Sequence, residues 1–175
     1  MLKYQKIIVA SIIAAVIFAL LYTVLLFSWL VPADVPITVE HRVELAIKCL
    51  LVPVFMLFLG IAAIANARFF SKAANPIDCE VSNQKMKVDL HYLTNTQEQL
   101  LLMSITMLGL SVYLPPHYLM LLPIYSSLFV IGRICFWIGY RINPYYRAFG
   151  FALTAYPTFA GIFYNLYALI ISSFA

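Results

Sequence analysis

Long apolar runs constrain the fold of this chain more than any motif does. Five stretches are apolar enough to be candidate membrane spans: residues 7–31, 45–67, 95–114, 118–140 and 148–172. About 20 residues of α-helix are needed to cross the hydrocarbon core of a bilayer. The chain is 64% hydrophobic and only 10% charged, which is more apolar than a soluble domain. The sequence therefore predicts an all-α integral membrane protein.

The first and third runs differ from the other three. The run 95–114 begins with polar residues, so it is the weakest of the five by hydropathy. The run 7–31 is longer than the apolar region of a secretory signal peptide, and we expect it to remain as a membrane helix. We divide the chain into an extra N-terminal transmembrane helix with its outside loop, residues 1–44, and a four-helix transmembrane domain, residues 45–175.

Basic residues are distributed unevenly between the two ends of the predicted spans. If the N-terminus is cytoplasmic, Arg42 is the basic residue left in an outside loop, and Lys48 lies just within the second span. Eight others then fall on the inside: Lys3, Lys6, Arg68, Lys72, Lys85, Lys87, Arg141 and Arg147. This asymmetry follows the positive-inside rule, so we predict a cytoplasmic N-terminus and an outside C-terminus. Short loops and the absence of sorting signals favour a bacterial inner membrane.

Several classes of function lack a signal in the sequence. The net charge of +4 reflects membrane orientation and does not indicate a nucleic-acid partner. The cysteines, Cys49, Cys79 and Cys135, have neither metal-ligand nor paired spacing, so we expect no metal and no disulfide framework. Protease zinc motifs, P-loops and dinucleotide fingerprints do not occur. A channel or transporter is disfavoured because polar residues gather at one end and no internal repeat is evident.

Polar residues inside the predicted spans indicate where function lies, because a membrane interior makes them costly. His91, Asn95 and Glu98 have the spacing of one helix face. Arg133 is about 10 Å from the end of the fourth span, marked by Tyr140, at 1.5 Å per residue. At that depth its charge needs a partner, and Glu98 lies at a comparable level. We therefore expect an ion pair between Glu98 and Arg133.

The positions of these polar residues predict one pocket at the inside ends of the helices. Its members are Arg68, Asn95, Glu98, Arg133, Tyr140 and Arg147. Cations outnumber the anion, which suits an anionic ligand, and apolar walls could accept a lipophilic one. Structural alternatives remain for most members. Arg68 and Arg147 could be headgroup anchors, Tyr140 an interfacial aromatic, Asn95 a helix cap and His91 a loop residue.

Four stretches resemble the MAPEG family (membrane-associated proteins in eicosanoid and glutathione metabolism). They are "ANARFFSKAANP" (65–76), "HYLTNTQEQL" (91–100), "GRICFWIGY" (132–140), and Arg147 seven residues after Tyr140. The resemblance covers roughly residues 45–175. It implies a four-helix MAPEG-like bundle preceded by one extra N-terminal transmembrane helix. A five-helix layout of this kind resembles the mattrin-like branch of the family.

The resemblance also implies a homotrimer that binds glutathione at the inside membrane face, between adjacent subunits. Its carboxylates and amine would be held by Arg68, Asn95, Glu98, Arg133 and Tyr140, with His91 as an additional candidate. Arg147 would be the catalytic residue beside the thiol. A fixed cation lowers the pKa of a thiol, which is otherwise near 8.5, and so favours the nucleophilic thiolate. Membrane lipids and a lipophilic small molecule are the other expected partners.

Three positions depart from the family pattern. His91 stands where many catalytic members have arginine, Leu93 replaces a polar side chain, and Phe136 stands where some relatives have tyrosine. Each departure removes a ligand contact. Two functions therefore stay open. One is a glutathione-dependent transferase or peroxidase acting on lipophilic substrates, and the other is a non-catalytic lipid-binding or scaffold protein with the same fold.

Overall fold

The computed structural model describes residues 2–29, 38–70 and 84–174, which form five α-helices, one short 3₁₀ turn and no strand. The helices are α1 (Lys3–Trp29), α2 (Val39–Phe69), α3 (Gln84–Tyr113), α4 (Leu121–Ile142) and α5 (Arg147–Phe174), with the 3₁₀ turn Pro116–Tyr118 between α3 and α4. The predicted all-α architecture is confirmed. The predicted loop residues 30–37 and 71–83, the latter with Lys72 and Cys79, lie outside the described part of the chain.

Four of these helices are long and apolar enough to cross a membrane. They are α1, α2, α4 with the 3₁₀ turn that precedes it, and α5. α3 has 30 residues, but its first half is polar, which explains why its apolar run is the weakest in the sequence. The protein is therefore a multi-pass helical membrane protein.

α3 begins at Gln84, well before the predicted start at residue 95. Residues 84–92, expected to belong to a loop, continue the helix because they contain no glycine or proline. Buried residues recur at helical spacing through this part, at Met86, Asp89 and Tyr92. His91 and Asn95 therefore lie inside a helix, and the readings of His91 as a loop residue and Asn95 as a helix cap are wrong.

The turn from α4 to α5 is short, as predicted. Proline at position 144 disfavours the helical conformation for Asn143, which is extended, so α4 ends at Ile142. The Asn143 backbone N–H donates to the carbonyl of Gly139 at 2.9 Å, and its side-chain Oδ1 accepts from the Tyr145 N–H at 3.0 Å. α5 then starts at Arg147. The turn thus fixes that arginine close to the end of α4.

Glycines let α4 and α5 pack backbone against backbone. A Cβ atom at Gly150 would collide with the backbone N of Phe136 and the carbonyl of Gly132. A Cβ atom at Gly132 would lie 2.5 Å from Thr154 Cγ2, and one at Gly139 would lie 2.9 Å from the carbonyl O of Tyr146. Gly132 and Gly139 therefore admit the backbone of α5 and of the turn that precedes it.

The extra helix α1 packs along α5 and α4. Its inward face follows a helical stripe: Ile8, Ile12, Ala15, Ala19 and Tyr22. Ala15 is fully buried against Leu128, Ala152 and Leu153. The Tyr22 hydroxyl donates to Ser127 Oγ at 2.9 Å, which attaches the second half of α1 to α4. α1 is therefore an integral part of the bundle.

Candidate functional site

A cavity of about 610 Å³ lies between α1, α3 and α5, beside the turn from α4 to α5. We call it the polar cleft. It is lined by Ile8 and Ile12 of α1, His91, Thr94, Asn95 and Glu98 of α3, Phe136 of α4, Pro144 and Tyr145 of the turn, and Arg147, Ala148, Phe151 and Tyr156 of α5. Its volume falls within the usual range of small-molecule sites. It brings together Asn95, Glu98 and Arg147, three of the six residues of the predicted pocket, and also contains His91.

Arg147 gives the polar cleft its positive charge. It is exposed, and its guanidinium carbon lies 4.7 Å from the centroid of the Tyr140 ring, a cation–π contact. Because Arg147 is the first residue of α5, its charge adds to the positive end of the helix dipole. An anion bound in the cleft would therefore be stabilised near Arg147.

Tyr140 lies behind the lining residues. Its side chain is half-buried, and its ring centroid is 6.1 Å from that of His91 and 5.8 Å from that of Phe136. The Tyr140 ring therefore packs against Arg147 and His91, and its hydroxyl has no hydrogen-bond partner among the described residues.

Arg133 is fully buried and is held by neutral groups. Its Nη1 donates to Asn95 Oδ1 at 2.8 Å, and its Nη2 donates to Thr154 Oγ1 at 2.5 Å and to the Gly150 carbonyl at 3.4 Å. The guanidinium carbon also lies 4.9 Å from the centroid of the Phe136 ring. Neutral oxygens and an aromatic face therefore compensate this charge within the bundle.

The predicted ion pair between Glu98 and Arg133 is wrong. No carboxylate in the described residues pairs with Arg133, and Glu98 is on the exposed side of α3. Asn95, one turn earlier, faces α4 and takes the place that was expected for Glu98. The sequence spacing identified the correct face of α3 but did not show which of Asn95 and Glu98 contacts Arg133.

Arg133 sets the orientation of the Asn95 side chain. A guanidinium has only donors, so Asn95 must present its amide oxygen to Arg133. Its amide nitrogen has no hydrogen-bond partner among the described residues, and Asn95 lines the polar cleft. The buried arginine thus leaves Asn95 with two N–H donors for a ligand.

Substitution of Glu98 should have little effect on stability. We expect Glu98→Ala to change the free energy of unfolding in detergent by no more than about 0.5 kcal/mol, because the side chain is exposed and unpaired among the described residues. Asn95→Ala should cost about 1.5 to 3 kcal/mol, since it removes a hydrogen bond to a charged group. Thermal melting of both variants measures the difference. An equal loss in both would contradict this assignment.

Arg68 stands apart from the other predicted residues. It is half-buried in the last turn of α2 and is not among the residues that line the polar cleft. Within one chain, the cleft therefore gathers Asn95, Glu98 and Arg147, with Arg133 and Tyr140 directly behind them.

Two residues that hold Arg133 were not predicted from the sequence. Gly150 and Thr154 are four residues apart on the face of α5 that meets α4, and both accept hydrogen bonds from Arg133. A small residue followed four positions later by another is a pattern of close helix packing in membranes. That spacing was the signal that could have identified them.

A buried carboxylate on α3 also escaped sequence reasoning. Asp89 is 5% exposed and accepts hydrogen bonds from Trp137 Nε1 at 2.7 Å and from Arg141 at 2.6 Å. This ion pair joins α3 to the end of α4. Because Asp89 lies between the predicted spans 45–67 and 95–114, it was not considered as a buried charge.

The acidic, histidine and cysteine side chains of the described residues do not cluster. No group of three His, Cys, Asp or Glu side chains within residues 2–29, 38–70 and 84–174 is arranged to hold an ion. Cys49 and Cys135 are unpaired and lie in α2 and α4.

The model of the MAPEG family matches residues 45–167. This chain belongs to the MAPEG family. The MAPEG match includes every predicted site residue, from Arg68 to Arg147, and begins after α1. The predicted family is thus confirmed.

Curated relatives of this MAPEG chain include Transmembrane protein 79 of Mus musculus, which is 30% identical over 144 residues. That match covers 80% of this chain and 36% of the relative. Transmembrane protein 79 of Bos taurus is 28% identical over 144 residues, or 80% of this chain and 35% of the relative. The chain spans about a third of the length of these relatives. No solved structure matches it.

Proposed function

We propose that this MAPEG protein binds glutathione in the polar cleft and acts as a glutathione-dependent transferase or peroxidase on lipophilic substrates. The observation that carries the proposal is that Arg147, Asn95 and Glu98 line the same cleft as several apolar side chains. Glutathione has two carboxylates, one ammonium group and a thiol. The arginine and the amide donors suit its carboxylates, and Glu98 suits its ammonium group.

Arg147 would activate the thiol. Its fixed charge and the positive end of α5 favour the thiolate over the neutral thiol, whose proton passes to water. The thiolate would then attack an electrophilic carbon of the substrate, and the leaving group would depart with its electron pair. With a lipid hydroperoxide it would attack the terminal oxygen. The glutathione sulfur becomes a sulfenic acid, and the lipid leaves as an alcohol once its oxygen is protonated by water. A second glutathione then converts the sulfenic acid into a disulfide and water.

The proposal includes a homotrimer with glutathione between adjacent subunits. Glu98 and Arg147 are exposed on the single chain, where contact with lipid would be costly, so a neighbouring subunit covering them is physically reasonable. In that assembly Arg68 of one subunit would approach the cleft of the next. Arg133 would act by orienting Asn95.

The membrane orientation and the division of the chain are also part of the proposal. A cytoplasmic N-terminus and an outside C-terminus place the polar cleft at the cytoplasmic face, and the uneven distribution of basic residues supports this. Residues 1–44 would form an addition to the MAPEG domain, 45–175. A location in a bacterial inner membrane is part of the proposal because the predicted loops are short.

A non-catalytic lipid-binding or scaffold protein is the second candidate. Arg133 is fully buried, with Nη1 and Nη2 donating to Asn95 and Thr154, and Arg68 is not among the residues that line the cleft. His91 and Leu93 remove two further contacts that the family resemblance implied. A single subunit therefore offers glutathione fewer contacts than the resemblance suggested, which favours a retained fold with altered chemistry.

Calorimetric titration of the detergent-solubilised protein with glutathione separates the two candidates. We expect saturable binding at millimolar concentration or tighter, and at least about tenfold weaker binding by Arg147→Ala, because charge-assisted hydrogen bonds are lost. Lys48→Ala is the matched control. It also removes one cation, but from an exposed pair with Glu44 near the start of α2. No binding by the wild type up to physiological glutathione would contradict the catalytic proposal.

A further inference from the structure

The helix that precedes the MAPEG-matched residues forms part of the candidate site. Ile8 and Ile12 of α1 line the polar cleft, although the family match begins at residue 45. We propose that α1 supplies the binding wall for the aliphatic part of the lipophilic substrate, so that Ile8 and Ile12 determine which chains enter. This inference rests on the function proposed above and names the substrate class as a long-chain amphiphile with an anionic or otherwise polar reactive end.

The cleft has a polar and an apolar side. Polar groups come from α3 and from the start of α5, whereas the described residues of α1 that line the cleft are Ile8 and Ile12, both apolar. These two isoleucines are one helical turn apart, or about 6 Å along the axis. An aliphatic chain parallel to α1 would therefore contact both, with its polar end near Arg147. The apolar wall is continuous with the polar site, so the two together fit one amphiphilic molecule.

Packing holds this wall in place at the cleft itself. Tyr4 of α1 stacks on Tyr145 with ring centroids 4.6 Å apart, and Tyr145 lines the cleft. Farther along α1, Ala15 is fully buried against the bundle. α1 is thus attached on both sides of Ile8 and Ile12. A fixed wall can select by shape, because it does not yield to a larger substrate.

The lipid-facing side of α1 lies directly beside the wall. Ile13 and Ile17 are 54% and 53% exposed, whereas Ile12, the neighbour of Ile13, is partly buried at the cleft. A molecule dissolved in the bilayer could therefore reach the cleft past one edge of α1. Ile12 and Ile13 are therefore a matched pair of adjacent positions, because Ile12 faces the cleft and Ile13 faces lipid.

The test compares Ile12→Trp with Ile13→Trp in nanodiscs of fixed lipid composition. The probe is the fluorescent polyene fatty acid parinaric acid, excited directly so that added tryptophan does not interfere. We expect saturable binding by the wild type, roughly tenfold or more weaker binding by Ile12→Trp, and unchanged binding by Ile13→Trp, because a shape change inside an apolar pocket has effects of this size. Glutathione calorimetry on the same samples measures the proposed function separately. Ile13→Trp should keep the wild-type isotherm, and Ile12→Trp should weaken glutathione binding less than it weakens fatty-acid binding.

The two titrations separate failure of this inference from failure of the proposed function. Equal parinaric acid binding by wild type and Ile12→Trp, or none by the wild type, would overturn the role of α1. Loss of fatty-acid binding in Ile12→Trp, without any glutathione binding by the wild type, would support the wall and refute the catalytic proposal. Should Ile12→Trp fail to fold, judged by melting, Ile8→Trp near the helix start replaces it with the same expectations.

Discussion

Replacement of Arg133 by alanine is expected to lower the free energy of unfolding by about 3 to 5 kcal/mol, the range for truncating a large buried side chain that is also hydrogen-bonded. Arg133 is among the largest fully buried side chains in the described residues. Its loss leaves a cavity against Phe129 and Phe136 and removes the donors to Asn95 and Thr154. Reversible unfolding in mixed detergent micelles measures the effect.

Arg133→Met separates volume from hydrogen bonding. Methionine fills most of the space but donates nothing, so it should cost less stability than alanine. It should nevertheless weaken glutathione binding, because the Asn95 amide would no longer be held with its nitrogen toward the cleft. Wild-type stability in Arg133→Ala would show that the buried guanidinium network does not hold α3, α4 and α5 together.

Gly150→Leu should strongly disrupt the packing of α4 against α5. The new side chain would meet backbone atoms of Phe136 and Gly132, which cannot rotate away. We expect a loss of about 3 kcal/mol, the upper part of the usual range for overpacking, and a displaced Arg147. Unfolding in mixed micelles and glutathione calorimetry should therefore both detect the change.

Gly161→Ala provides a graded comparison on the same helix. A Cβ atom there would lie 2.5 Å from Thr106 Cγ2, a side-chain atom that can shift by small rotations. Its loss of stability should therefore be smaller, and glutathione binding should be preserved. Equal losses in Gly150→Leu and Gly161→Ala would contradict the importance of direct backbone contact at Gly150.

Hydropathy predicted the architecture because the membrane constrains backbone hydrogen bonding so strongly. Five apolar runs could only become helices, and all five did. The start of α3 was missed because residues 84–92 are polar, and hydropathy does not distinguish a polar helix from a polar loop. The helix is stabilised there by tertiary contacts, such as Asp89 with Arg141, that no local pattern reveals.

Sequence spacing identified the faces of the candidate site but not each contact. His91, Asn95 and Glu98 have the spacing of one helix face, and all three line the polar cleft. The spacing could not show that Asn95, not Glu98, reaches Arg133, because the two residues are close together on that face. The contribution of α1 depends on packing between distant segments, so no spacing along the chain could predict it.

Thiol ionisation in the polar cleft can be measured by ultraviolet difference absorbance on adding glutathione at neutral pH. S-methylglutathione, whose sulfur cannot ionise, is the matched ligand control. We expect a thiolate band with wild-type protein, a much weaker band with Arg147→Ala, and none with the methylated ligand. A wild-type protein that binds glutathione without a thiolate band, or an equal band in Arg147→Ala, would contradict activation of the thiol by this arginine.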